Sequence, residues 1–422
     1  MIPPHGCAPP SDSSRRGVRR ASGRVAGPTT DDSKEHSVPT GRSRRRRRRG
    51  GGHGGHGGPG AHGHGPSPGG QPGPGQHPQG APAHQGSPNG HHGHHGSGAS
   101  HGHGGHRAAP QIVIEGFDPA TAPRPRPFED LTSIDPQPRL TLEYPGCPDS
   151  CRLIDLFCPI GRGQRSLIVS PPKAGKTTLL KDIAGAIVRN HPDVQVIALL
   201  VDERPEEVTD FRRTFAAYGA REDGSPRGQV IASSNDHGVE RHIAVSTGTM
   251  DLCKRMVEAG RHVVVVLDSL TRLGRAFNLS RKHASSGRTL SGGLDSRALE
   301  VPRQIFGSAR NTEEAGSLTI IASVLVDTGS AQDQVIFEEF KGSGNMELIL
   351  DRKISEKRLF PAINLAASGT RKEHLLMPEQ ELKTVTALRR RLIAMPPHVQ
   401  VEQLLGAMKR FKTNAELVGS AG

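Results

Sequence analysis

The stretch that most limits what this chain can become is Leu167-Ile168-Val169, then Ser170-Pro171-Pro172-Lys173-Ala174-Gly175-Lys176-Thr177, then the periodic apolar run TTLLKDIAGAIV. A short apolar strand, a loop ending in Gly-Lys-Thr and an amphipathic helix in direct succession are the setting of a phosphate-binding loop. There, backbone N–H groups and a helix N-terminus surround the phosphates. Lys176 is placed to reach the β- and γ-phosphates of ATP, and the Thr177 hydroxyl to ligand Mg²⁺. One position departs from G-x-x-x-x-G-K-[ST]: Ser170 stands where the first glycine belongs, and two prolines follow.

Around this loop, strands and helices alternate. Apolar runs predict strands over 167–169, 194–201, 229–232, 263–267, 318–326 and 347–350, and helical periodicity covers 177–189, 206–218 and 239–259. The segments 382–393 and 401–411 close the chain as helices. Near-continuous apolar strands such as VIALLV and VVVVL suit a sheet covered on both faces, hence a parallel one. The fold class is therefore α/β, a doubly wound core. Asp268 follows VVVVL, where a P-loop ATPase keeps the carboxylate that holds the Mg²⁺ hydration shell. VIALLV ends in Asp202-Glu203-Arg204, and Glu203 is the candidate for polarising water at the γ-phosphate. Glu206 and Glu207 read as favourable charge in the first turn of the next helix.

Charge is distributed unevenly. Residues 1–110 hold 14 of the 55 Lys and Arg, 4 of the 42 Asp and Glu, 15 of the 22 His and no Phe or Tyr. They thus carry most of the net +13, and without aromatics they are expected to remain disordered. The block Arg42-Ser43-Arg44 to Arg49 is expected either to bind polyanions by counterion release, without sequence preference, or to be a solvated basic linker. The histidines after it have only incidental metal affinity. The segments QIVIEGF, FEDLTSI and RLTLEY read as short strands or extended linkers. The domain reading is a tail over 1–110, a connector over 111–152 and a motor over 153–422. No apolar stretch is long enough for a membrane span, and the arginines of the N-terminus lack the apolar run of a secretory signal. Five scattered cysteines read as reduced thiols of a cytoplasmic protein, and no fourth ligand joins Cys147, Cys151 and Cys158 to make a zinc site.

The runs GRGQRSLIVSPPKAGKTTLL, LLVDERPEEVTDF, VVVVLDSLTRLGRAFN, SGGLDSRAL, FGSARN, SLTIIASVLVDTGS, IFEEFKGSGNMEL and EKRLFPAINLAASGTRKEHLL together resemble the transcription termination factor Rho family. The resemblance spans about 116–413, and the family likewise lacks the first P-loop glycine. It implies a homohexameric ring of RecA-like P-loop ATPase cores, each with a largely parallel sheet, that hydrolyses ATP and pulls RNA through its centre. The expected partners are the nascent transcript and the transcribing RNA polymerase, and the expected outcome is termination.

By the same resemblance, Gly161, Arg162, Gly163, Gln164, Arg165 and Ser166 belong to nucleotide-binding segments, as do Lys173, Ala174, Gly175, Lys176, Thr177 and Thr178. Glu203 corresponds to the catalytic carboxylate, Arg204 to a nucleotide-site arginine and Asp268 to the Mg²⁺-side aspartate, which acts through water. Phe360 corresponds to the aromatic that stacks on adenine, and Arg371 to an arginine finger supplied across the subunit interface, with Arg358 nearby. Two RNA-contacting loops are implied: 280–295, with Arg288 and a flexible Gly292-Gly293, and 327–334, with Gly329, Ser330 and Ala331. Ala331 stands where the family usually has a basic residue. The aromatic-bearing OB-fold that the family places before the motor is expected to be missing. That leaves an alternative, a Rho-like RNA-stimulated ATPase with a non-termination role, loaded by a protein partner or by its basic tail. Two further rivals are a rotary-ATPase-like ring subunit indifferent to RNA and a non-enzymatic, tail-driven RNA-binding protein.

Overall fold

The computed structural model describes residues 110–420. The disordered tail, the Arg and His blocks and the missing OB-fold expected from the sequence lie outside the described residues.

In chain order the strands are β1 (Ser133–Ile134), β2 (Arg165–Ser170), β3 (Val194–Glu203), β4 (Gly228–Ser234), β5 (His262–Asp268), β6 (Thr289–Leu290), β7 (Leu294–Asp295), β8 (Arg310–Thr312), β9 (Ser317–Leu325), β10 (Met346–Ile349) and β11 (Gly369–Thr370). The helices are α1 (Asp149–Phe157), α2 (Lys176–Asn190), α3 (Pro205–Ala216), α4 (Val239–Glu258), α5 (Leu270–Leu279), α6 (Glu300–Gly307), α7 (Ala331–Phe340), α8 (Arg352–Glu356), α9 (Glu379–Ile393), α10 (Pro397–Arg410) and α11 (Asn414–Ser420). The main sheet runs β11-β10-β2-β9-β5-β3-β4 and is parallel from β10 to β4. β11 pairs antiparallel at one edge, β8 antiparallel onto β9, and β1 onto β8.

Strict alternation along each strand divides the core in two. Ile168, Val196, Ala198, Leu200, Val264 and Val266 face a layer built with α1, α2, α3, α9 and α10. Leu167, Val169, Ile197, Leu199, Val263 and Val265 face the other layer, with α4, α5, α6 and α7. A strand buried on both faces cannot tolerate polar residues on either, which is why these segments read as continuous apolar runs. The chain leaves β2 and β3 for helices on one face, and β5 and β9 for helices on the other. The C-terminal ends of these strands therefore border a crevice, where ligands of open α/β sheets bind.

The segment ahead of α1 packs on this core. Ile114, Phe117, Phe128 and Leu131 join the second layer, and Glu258 of α4 accepts the Phe128 backbone N–H at 2.8 Å. Of the QIVIEGF, FEDLTSI and RLTLEY segments only Ser133–Ile134 is a strand, and Phe128–Asp130 forms a single 3₁₀ turn.

Gly163 is a point of close approach. Its φ is +86°, and a Cβ added there would stand 2.1 Å from the Asn311 backbone nitrogen. Gly163→Ala combines left-handed backbone strain with overlap against main chain that cannot move away. It is expected to destabilise the fold by about 3 kcal/mol. Urea unfolding of this variant beside Gly224→Ala checks it: the second site shares the positive φ but has open space around it, and so loses less.

Candidate functional site

The P-loop leaves β2 at Ser170 and enters α2 at Lys176. Two residues turn left-handed to wrap it, Lys173 with φ +64° and Gly175 with φ +88°. Gly175 serves as the helix N-cap without a capping side chain, so the first N–H groups of α2 remain available to an anion. Among the described residues no side chain caps that end.

Below the loop lies a buried charge cluster. The Lys176 ammonium donates to Asp268 Oδ1 and stands 3.9 Å from Glu203 Oε2. Asp268 ends β5, is fully buried, and also accepts the Ser323 hydroxyl of β9 at 2.7 Å. Glu203 ends β3, is 1 % exposed, and its Oε1 accepts the Arg272 guanidinium at 2.8 Å. Arg272 also donates to the Asp202 main-chain carbonyl. A register irregularity between Val201 and Glu203, with Asp202 at φ +55°, breaks the alternation of β3. Such a bulge re-aims one side chain, here the glutamate.

Burial is the main force on Glu203 and pushes its pKa up to about 7; the Asp268 charge acts in the same direction, against Lys176 and Arg272. Glu203 Oε2 and Asp268 Oδ2 are buried without a hydrogen-bond partner. Unsatisfied carboxylate oxygens beside a P-loop are hard ligands suited to a divalent cation or its water shell, so Mg²⁺ fits the residues present. Thr177 Oγ1 is 3.5 Å from Glu207 Oε2, and Glu207 with Glu206 sits in the first turn of α3 as the sequence suggested.

A cavity of about 530 Å³ adjoins the loop, lined among others by Lys173, Ala174, Gly175, Thr178 and Phe360. The Phe360 ring is 45 % exposed, and its edge lies 3.4 Å from where a Gly175 Cβ would be. Arg204 caps α3, is exposed and reaches Glu207 at 3.8 Å.

Other candidates stand elsewhere. Gly161, Arg162, Gly163, Gln164, Arg165 and Ser166 lead into the N-terminal end of β2, and Ser166 precedes Ser170 by four residues, about 13 Å of strand. Arg371 is at that same end. It follows β11, its N–H bonds the Asn345 carbonyl and its guanidinium the Gly342 carbonyl at 3.1 Å. Arg358 is exposed with φ +59°.

The two loop candidates for RNA come together. β6 and β7 form a hairpin closed by Ser291–Gly293, and a Cβ on Gly292 would meet the Gln332 backbone nitrogen at 2.4 Å. Gly292 is thus required for close backbone approach, whereas a Cβ on Gly293 would meet nothing within 4 Å. Ser330 caps α7, Ala331 begins it, and Gly329 turns with φ +78°. Arg288 is exposed just before the hairpin.

The sequence reading missed the residues that hold this arrangement. Arg272 fixes Glu203. Arg275, one turn on along α5, makes a two-pronged pair with the buried Asp333, which also takes the Thr328 hydroxyl at 2.6 Å. Ser323 was legible as a polar residue inside an apolar strand. The arginines of SLTRLGRAF carried no sign of facing inward.

Residues 150–370 match the ATP synthase alpha/beta family, nucleotide-binding domain. An ATPase of the type III secretion system of pathogenic bacteria has a similar fold, with a TM-score of 0.53 at 24% identity over 64% of this chain and 72% of that one. The site and sheet define a nucleotide-binding P-loop ATPase core of this class. Within it, the chain is 49% identical over 306 residues to the transcription termination factor Rho of Cereibacter sphaeroides, covering 72% of this chain and 69% of that protein. It is 54% identical over 301 residues, 71% of the chain, to the factor of the same name from Borreliella burgdorferi. The chain belongs to the transcription termination factor Rho family. It spans 56% of the Borreliella burgdorferi protein and 58% of that of Rhodopirellula baltica.

The raised pKa of Glu203 has a consequence for stability. The native carboxyl keeps its proton up to about 7, whereas in the unfolded chain it loses it near the ordinary glutamate value of 4.5. Across that window the native state binds more protons, so stability falls as pH rises. Gln at this position does not titrate. The melting temperature of Glu203→Gln relative to wild type, without nucleotide, should therefore increase between about pH 5 and about pH 8. A difference independent of pH would contradict the buried environment described for Glu203.

Proposed function

We propose that this protein is an ATP-driven RNA translocase that terminates transcription, acting as a homohexamer on the nascent transcript behind RNA polymerase. The observation that carries the reading is the Lys176–Asp268–Glu203–Arg272 cluster beneath the P-loop. Lys176 binds the β- and γ-phosphates, helped by the open N–H groups of α2. Thr177 and, through water, Asp268 would hold Mg²⁺, which would neutralise phosphate charge. Glu203, ionised and oriented by Arg272, holds the attacking water and accepts its proton. Phe360 stacks on the base. Arg371 lies too far from the P-loop of its own chain to act there, which supports its action on the nucleotide of a neighbouring subunit. Gly161 to Ser166 share its end of the sheet.

Arg288, Gly292, Gly293, Gly329, Ser330 and Ala331 form the surface offered to RNA. Arg272 and Arg275, three residues apart on α5, tie Glu203 and the 328–333 loop to one helix, which supports linkage between hydrolysis and RNA contact. Among the described residues no helix is long and apolar enough to cross a membrane, and Cys147, Cys151, Cys158 and Cys253 are free thiols. Both suit a protein of the cytoplasm.

ATPase assays with and without RNA test this. Glu203→Gln should lose at least about a hundredfold in kcat while still binding ATP; unchanged turnover would sink the role given to Glu203. ATPase indifferent to RNA would overturn the translocase reading, and RNA-stimulated ATPase without transcript release would favour the non-termination alternative.

Action in trans has its own test. Arg371→Ala should cost about a thousandfold in ATPase. Mixing it with Lys176→Ala should restore part of the activity, because one kind of interface then pairs an intact P-loop with an intact arginine. No recovery on mixing would overturn action in trans.

A further inference from the structure

The cavity beside the P-loop is lined by Asp182 and Ser150 as well as by Phe360. Asp182 lies one turn beyond Thr178 on α2, so the two share a face, and the carboxylate is about 9 Å along the helix axis from Lys176. Ser150 is buried in the first turn of α1 and donates its hydroxyl to Asp182 Oδ2 at 2.6 Å. No cation lies within ion-pairing distance of this carboxylate among the described residues, and it makes no contact with the charge cluster around Lys176. Its second oxygen, Oδ1, has no side-chain donor. The rest of the lining is largely apolar, with Leu179, Leu350, Pro361 and Ala362. A half-buried acceptor at the far end of an apolar slot, away from the phosphates, suits an N–H donor on the edge of a flat heterocycle. Burial pushes the carboxyl pKa up, against the Ser150 bond that holds it down. Ser150 thus fixes one oxygen and leaves the other to the ligand.

We infer that Asp182, held by Ser150, reads the exocyclic amino group of the nucleotide base and makes the site prefer an amino-purine over a 6-oxo base without one. The assignment rests on the reading of this cavity as the ATP site. Adenine donates its 6-amino N–H to Asp182 Oδ1. Hypoxanthine presents a carbonyl in place of that amino group, a second acceptor facing the carboxylate, and its one donor on that edge, N1–H, reaches Oδ1 only if the base shifts from its stack on Phe360. Ser150 acts as a positioning residue.

ATP and ITP are the probes, since they share sugar and phosphates and differ at that edge. Equilibrium binding of each to the full chain gives the ratio of Kd values. Wild type is expected to bind ATP at least about tenfold more tightly than ITP, the worth of one hydrogen bond to a charged group. Asp182→Ala should bring the ratio close to one through weaker ATP binding. Asp182→Asn is nearly isosteric and can turn its amide N–H to the 6-oxo group, so it should move the ratio toward ITP. A merely structural role would weaken both nucleotides alike and leave the ratio unchanged.

Equal affinity of wild type for ATP and ITP would overturn the assignment while leaving the ATPase intact, as would a wild-type ratio retained in both variants. Failure of wild type to bind either nucleotide would overturn the reading of the cavity itself.

Discussion

Everything at the head of the sheet depends on one ammonium held mostly out of water. Lys176 carries its charge into a place where Asp268 is fully buried and Glu203 nearly so. Removing water from two carboxylates is unfavourable unless cations and donors take its place. Lys176, Arg272 and Ser323 supply that compensation in part. Two carboxylate oxygens, one on each acid, are left without partners. The cluster is therefore stable enough to fold and incomplete enough to accept a polar ligand. Charges so arranged also explain why Glu203 holds its proton up to about 7 while Lys176 has Asp268 as its closest partner.

Register makes this cluster possible. β3 and β5 pair so that Leu200 faces Asp268, and β5 pairs with β9 through Leu267 and Ala322, which brings Ser323 beside the aspartate. β9 in turn pairs with β2 so that Leu325 meets Ser170 at the start of the P-loop. Four strands from distant parts of the chain thus end at one level. The apolar alternation that fixes their faces also fixes the polar residues that follow them, because slipping a strand by one residue would reverse every side chain.

Much of this was legible in the sequence, for a physical reason. β2, β3, β5 and β9 are covered on both faces, so their sequences are nearly all apolar and their ends are marked by the first polar residue. Ser170 and Asp268 are those residues, and Glu203 directly follows the one that ends β3, Asp202. α5 was not legible, because its arginines look like surface charge when read locally. Arg272 and Arg275 turn inward to Glu203 and Asp333, partners 69 and 58 residues away. The segment before α1 escaped for a related reason. Its backbone donors find side-chain acceptors far along the chain, Phe128 N–H at Glu258, Glu115 N–H at Gln229, and the N–H groups of Leu142 and Glu143 at Asp155. A local pattern of alternation has no means of showing acceptors so remote, and the segment therefore looks like strand or linker.

The placement of Arg371 bears on what one chain can do alone. Its backbone bonds Asn345 immediately before β10, and β10 runs parallel to β2, so Arg371 belongs to the end of the sheet opposite the P-loop. Arg165, whose guanidinium bonds the Ser343 and Ala309 carbonyls, is beside it, and neither arginine has a carboxylate within salt-bridge distance among the described residues. Arg371 and Arg310 lie near enough that their charge adds to burial in lowering the Arg165 pKa. Mutual repulsion of this kind is unfavourable in an isolated chain and is relieved by an anion. The phosphate end of the crevice has the complementary defect, an open helix N-terminus and carboxylate oxygens that lack partners. One chain carries both ends and cannot join them across its own sheet, which is the separation that the proposed action of Arg371 in trans requires.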